Sequence, residues 1–125
     1  MRALEINHVA LHVMELDVSI AFYESVLGLQ PIPRPKFDFA GAWFRIGMCQ
    51  ELHLIADRRY PVSSHSRGTH FAILIDDFDA WDKHLSAEDV ERSEARKRPD
   101  GARQIFLCDP DGHWIELVCD SLPME

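Results

Sequence analysis

His8-Val9-Ala10-Leu11-His12-Val13 returns as His70-Phe71-Ala72-Ile73-Leu74-Ile75, 62 residues further along the chain. Leu52-His53-Leu54-Ile55 returns as Ile115-Glu116-Leu117-Val118, 63 residues further along. Each run alternates two sets of side chains with the period of a strand that has one covered face. In each matched pair a metal-capable side chain stands at the equivalent point. The alternation sends Val9, Leu11, Leu52, Leu54, Phe71, Ile73, Ile115 and Leu117 to one face. His8, His53, His70 and Glu116 go to the other. A duplicated unit brings equivalent strand positions together around a pseudo-two-fold axis, so these four side chains are expected to meet.

Between the paired runs the two halves keep one order. In the first, Asp17 is expected to cap a helix whose core stripe is Ile20, Tyr23 and Leu27, closed by Gly28. Pro31, Pro33 and Pro35 exclude a central strand, because each removes a ladder donor, and leave an edge strand or a loop. Trp43 to Ile46, a turn at Gly47 and Glu51 to Ala56 read as a hairpin. In the second half Thr69 to Ile75 is a strand and Asp77 caps a helix with Phe78, Trp81 and Leu85 on one face. A weakly specified charged stretch follows, and then a hairpin across Asp109-Pro110-Asp111-Gly112. The expected fold class is α+β. Two paired βαβββ modules form a concave, partly open barrel-like sheet with the helices outside. Residues 1–125 make a single domain with modules at about 1–57 and 68–120, joined by the polar linker from Asp57 to Gly68.

Composition narrows the function. A chain of 125 residues with 46% hydrophobic content can bury a core without disulfides. A net charge of -8 argues against nucleic-acid or anionic-membrane partners, which need a basic face. No apolar run approaches the ~20 residues that span a bilayer. Residues Met1 to Glu5 do not resemble a signal peptide, which points to the cytoplasm. Cys49, Cys108 and Cys119 lack Cys-x-x-Cys spacing and are expected to be buried, reduced thiols.

Three imidazoles and a carboxylate suit one borderline divalent ion, Zn, Ni, Co, Fe or Mn, without thiolate to bias the choice. Four protein ligands on a six-coordinate ion leave two adjacent positions for neighbouring substrate oxygens. Glu51 shares the face of His53 and is the rival ligand. The repeat favours His53, since an offset of 63 carries His53 onto Glu116 but Glu51 onto Trp114. Glu51 is then a hydrogen-bond partner that fixes an imidazole tautomer. His12 is expected at the rim, and His65, His84 and His113 at the surface.

Asn7-His8-Val9-Ala10-Leu11, Ser19 to Tyr23 through Leu27-Gly28-Leu29, Thr69-His70-Phe71-Ala72 and, most specifically, Asp109-Pro110-Asp111-Gly112-His113-Trp114-Ile115-Glu116-Leu117 carry a resemblance. The chain resembles the vicinal oxygen chelate superfamily, the glyoxalase, bleomycin-resistance and extradiol-dioxygenase group, in its small glyoxalase-like branch. The resemblance implies a divalent metal, a small-molecule substrate with vicinal oxygens and a homodimer. It places His8, His70 and Glu116 on ligand positions and gives Glu116 a further role as general base. His53 stands where lactoylglutathione lyases commonly carry Glu or Gln, a departure from that activity proper. The implied chemistry is a glyoxalase-like lyase or isomerase reaction, with extradiol-type dioxygenase cleavage as the redox variant. A metal-free drug-binding dimer, with Trp43, Phe39 and Trp114 stacking a flat ligand, is the alternative. Transfer of a thiol onto an epoxide antibiotic is a minor branch, for which Arg34, Lys36, Arg45 and Arg103 are the available anion-binding groups.

Overall fold

The computed structural model describes residues 1–120. The chain divides into two compact units, Met1–Pro61 and a second from Val62 onward, with the break inside the expected linker. Each unit contains a four-stranded mixed sheet and one ten-residue helix, which is an α+β architecture.

In the first unit, β1 (His8–His12) leads into α1 (Leu16–Ser25). β2 (Gln30–Ile32), β3 (Gly41–Ile46) and β4 (Gln50–Ile55) follow. The sheet order is β1-β4-β3-β2, with β1 and β4 parallel and the remaining pairs antiparallel. Pro31 lies on β2, an edge strand, where its missing N–H costs no central ladder bond. Leu52 and Leu54 on β4 are fully buried, together with Phe44 on β3 and Tyr23 on α1. Removing each such side chain from water contributes about 1.5–3 kcal/mol.

The helix start differs from expectation. Glu15 occupies the N-cap without a side-chain cap bond, and Asp17 sits inside the first turn. There its charge still favours the positive end of the helix dipole. The buried stripe also shifts by one position. Ser19, Phe22, Tyr23 and Val26 are buried, whereas Ile20 is only half-buried. Ser19 is small enough to bring α1 close to the sheet. Gly28, at φ 65°, turns the chain out of the helix as expected.

In the second unit, β5 (Phe71–Leu74) leads into α2 (Phe78–Ala87). β6 (Arg96–Lys97), β7 (Arg103–Cys108) and β8 (Trp114–Cys119) follow. The order β5-β8-β7-β6 repeats the first sheet, and β5 and β8 are again parallel. The registers carry the sequence repeat exactly: Val9 pairs with Leu52, and Phe71 pairs with Ile115. Asp77 caps α2 as expected, its Oδ1 accepting from the Ala80 N–H at 3.1 Å. Phe78 and Leu85 form the buried face of α2. The hairpin from β7 to β8 is tied by Asp109, whose Oδ1 accepts from the N–H groups of Asp111 at 2.9 Å and His113 at 2.8 Å.

The cysteines correct a second expectation. Cys49 lies exposed in the turn between β3 and β4, and Cys108 and Cys119 are half-buried, all three as free thiols. A tight turn has no interior in which to bury Cys49. Burial, with help from Glu91 and Asp109, pushes the Cys108 thiol up to about 11.

Candidate metal centre

The parallel pairing of the first and last strand in each unit places the expected ligands side by side. In the first unit His8 lies opposite Glu51, and His53 lies two residues further along β4 on the same face. The His8 and His53 rings stack, with centroids 4.1 Å apart and planes inclined by 18°. On its other side His53 stacks on Trp43, at 3.9 Å and 1°. Trp43 is the register partner of His53 on β3, so the indole is a backing plate that orients the imidazole. His8 Nδ1 donates to Asn7 Oδ1 at 2.8 Å, which leaves the lone pair on Nε2.

Glu51 Oε1 lies 2.9 Å from His53 Nε2. The carboxylate therefore occupies the imidazole nitrogen that would otherwise face an ion. Glu51 is a neighbour of the site in space as well as in register.

In the second unit His70 and Glu116 come together in the same way. His70 Nε2 and Glu116 Oε1 are 3.2 Å apart. Glu116 Oε2 accepts from the Gln104 side-chain amide at 3.0 Å, and the carboxylate is only 6% exposed. Phe106, the register partner of Glu116, meets the His70 ring edge-on at 5.4 Å. It stands where Trp43 stands in the first unit, 63 residues on.

The His70 contacts test whether a cation fits. His70 Nδ1 lies 3.1 Å from the Gly68 carbonyl oxygen, which can only accept. The neutral ring must therefore carry its hydrogen on Nδ1, and Nε2 then presents a lone pair to a carboxylate oxygen. Two acceptors face each other across 3.2 Å. A positive charge belongs between or upon them, either a proton or a metal ion. The donor set passes the test for a borderline divalent ion. Among the described residues no group of three or more His, Cys, Asp or Glu side chains stands together as a metal-binding set. The expected ligands occur as two pairs, one in each unit.

Other expected residues fall elsewhere. His12 Nε2 lies 2.9 Å from the Ala56 carbonyl oxygen, at the end of β1. His65 is exposed, while His84 and His113 are half-buried rather than fully at the surface. The cations singled out as anion-binding groups are engaged otherwise. Arg34 lies over Phe37 and Phe39, at 4.8 and 4.9 Å, and donates to the Phe39 carbonyl. Arg45 donates to the Met48 carbonyl at 3.1 Å, and Arg103 pairs with Asp79 at 3.1 Å. Lys36 is exposed.

Two groups near the site went unremarked in the sequence. Gln104 holds Glu116, and its signal was its place two residues before Phe106, on the face Glu116 shares. Arg34 runs against the backbone of Gly41. A Cβ on Gly41 would stand 2.4 Å from the Leu54 carbonyl oxygen and 3.0 Å from Arg34 Nη2. Only glycine fits there.

Two βαβββ units that each pair a histidine of the first strand with a metal-capable side chain of the last define a duplicated scaffold for oxygen-chelating metal chemistry. Residues 5–117 match the Glyoxalase/Bleomycin resistance protein/Dioxygenase superfamily, and the chain belongs to it. It is 33% identical over 128 residues to the Metallothiol transferase FosB of Bacillus licheniformis, covering 97% of this chain and 79% of that one. It is 31% identical to Glyoxylase I 4 of Arabidopsis thaliana, over 95% of this chain and 73% of that one. Among solved structures, a glyoxalase family protein from Bacillus anthracis superposes with a TM-score of 0.82 at 26% identity. That match covers 97% of this chain and 100% of the other.

Proposed function

We propose that this protein is a divalent-metal-dependent enzyme acting on a small substrate with vicinal oxygens, its ion held by His8, His53, His70 and Glu116. The observation that carries the reading is the facing pair of acceptors, His70 Nε2 and Glu116 Oε1, with the His70 hydrogen already committed to the Gly68 carbonyl. A bound divalent ion supplies Lewis acidity to two neighbouring substrate oxygens.

The chain's own residues supply the rest. Glu116 is the general base. One of its oxygens is anchored by Gln104, so the other can accept a substrate proton without the carboxylate losing its position. Trp43 and His8 sandwich His53 and hold its ring plane. Glu51 either fixes the His53 tautomer or yields Nε2 to the ion. The reaction style is that of a glyoxalase-like lyase or isomerase, and the kinship with a metallothiol transferase adds group transfer as a neighbouring chemistry. The protein acts as a homodimer, which would cover the sheet edges β1 and β5. No helix among the described residues is long and apolar enough to cross a membrane.

The metal-free drug-binding alternative relied on Trp43 as a stacking surface. The His53 ring takes one face of that indole, which speaks against it. Elemental analysis of the purified protein decides between the two, before and after dialysis against a chelator. One divalent ion per chain, lost in Glu116→Gln and His70→Ala, supports the enzyme. No stoichiometric metal, and no uptake in a titration with Zn, Ni, Co, Fe or Mn, overturns it.

A further inference from the structure

A cavity of about 340 Å³ opens on the second unit, and His70 and Glu116 form part of its wall. Arg67, Arg96, Lys97 and Arg98 line the rest. Four of the chain's 13 basic residues thus face one cavity in a protein whose net charge is -8. With 21 acidic residues available, scattered cations would be expected to find carboxylate partners. Arg67 and Arg96 have no side-chain ion pair among the described residues.

Register makes the arrangement specific. Arg96 lies opposite Gln104 across the β6–β7 ladder, and Gln104 donates to Glu116. Antiparallel partners share a face, so Arg96 stands on the Glu116 side of the sheet. Arg98, two residues on, is held by Asp100 through paired contacts of 2.9 and 2.6 Å. It is close enough to Glu116 for that charge to reinforce its protonation, after the larger influence of Asp100. Arg67 comes from the linker that precedes His70.

We infer that Arg67, Arg96 and Arg98 form an oxyanion subsite beside Glu116, and that the substrate carries a phosphate- or phosphonate-type dianion next to its reacting oxygens. Several guanidiniums meeting at one small cavity match a dianion with three terminal oxygens, since each fork can hold two of them. A monocarboxylate would leave forks unfilled. The inference rests on the proposed reading for the identity of the substrate, but not for the binding itself.

The test uses the full chain with and without the neutral chelator 1,10-phenanthroline, titrated at constant ionic strength. The probes are methylphosphonate and inorganic phosphate, with acetate as the monoanion. Binding is read from backbone amide NMR shifts. The expected result is saturable shifts at Arg67, Arg96, Arg98 and Gln104 that persist without metal, with both dianions tighter than acetate. Arg96→Ser should weaken methylphosphonate about tenfold, the loss of one charge-assisted contact. Lys83→Ser on the exposed side of α2 removes the same charge elsewhere and should leave affinity unchanged. Equal effects from the two variants, acetate binding as tightly as the dianions, or binding that vanishes with the metal while ignoring Arg96→Ser would each overturn the subsite. Retained anion binding in a chain that takes up no metal would instead leave the subsite standing and remove the enzyme reading.

Discussion

Glu116 is held from two sides by residues of different strands: its Oε2 accepts from the Gln104 amide at 3.0 Å, and its Oε1 lies 3.2 Å from His70 Nε2. The carboxylate is nearly buried, so neither oxygen can turn to water for an alternative partner. A buried acceptor that loses its donor retains the cost of its desolvation, about 1–3 kcal/mol.

That arrangement makes Gln104 a positioning residue. Gln104→Ala is expected to lower kcat more than it raises KM, because the base loses its orientation while the metal ligands remain. Gln104→Glu should be worse, since it sets two carboxylates against each other. Steady-state kinetics on a turned-over substrate, combined with metal content, checks this. Unchanged kcat at full metal occupancy in Gln104→Ala would remove Gln104 from the site's machinery.

The cap of α2 is a simpler matter. Asp77 satisfies the Ala80 N–H, and its charge lies at the positive end of the helix. Asp77→Ala should cost about 1 kcal/mol. Asp17→Ala in α1 should cost less, because Asp17 makes no cap bond. Urea unfolding followed by circular dichroism gives both values, and equal losses would contradict the difference between the helix starts.

Thiol chemistry should separate the cysteines. With its thiol pushed up to about 11, chiefly by burial, Cys108 stays protonated through pH 9. The thiolate is the nucleophile, so iodoacetamide at pH 8 should label exposed Cys49 well before Cys108. The sign for stability follows from a pKa raised above the ordinary 9.0. The neutral thiol is no liability below pH 9, and the fold loses ground as pH rises from there towards 11. Peptide mapping by mass spectrometry checks the order of labelling.

Much of this was legible from the two offsets. The runs starting at His8 and His70, and those ending in Ile55 and Val118, became equivalent strands in equivalent registers, because strand period and burial act locally. The Asp77 cap and the Asp109 turn were legible for the same reason, since each is a side chain bonding to its own neighbouring backbone. What escaped depends on partners distant in sequence. β6 is two residues long, with no apolar pattern to announce it, so nothing marked Arg96 as a cavity residue. Arg34, Arg45 and Arg103 were equally basic on paper, yet their phenyl, carbonyl and carboxylate neighbours are set by loop paths that periodicity does not encode.

Gly41 returns the repeat to view from the opposite side. Counting 63 onward from Gly41 reaches Gln104, so the position that supplies a donor amide to Glu116 in one unit has no side chain in the other. With a backbone oxygen 2.4 Å from where a Cβ would be, and the Arg34 guanidinium packed against it, that position has no room to recover one. The duplication has thereby acted as a ratchet. Two once-interchangeable halves have become fixed as an imidazole-bearing half and a carboxylate-bearing half, and the base of the chemistry can arise in only one of them.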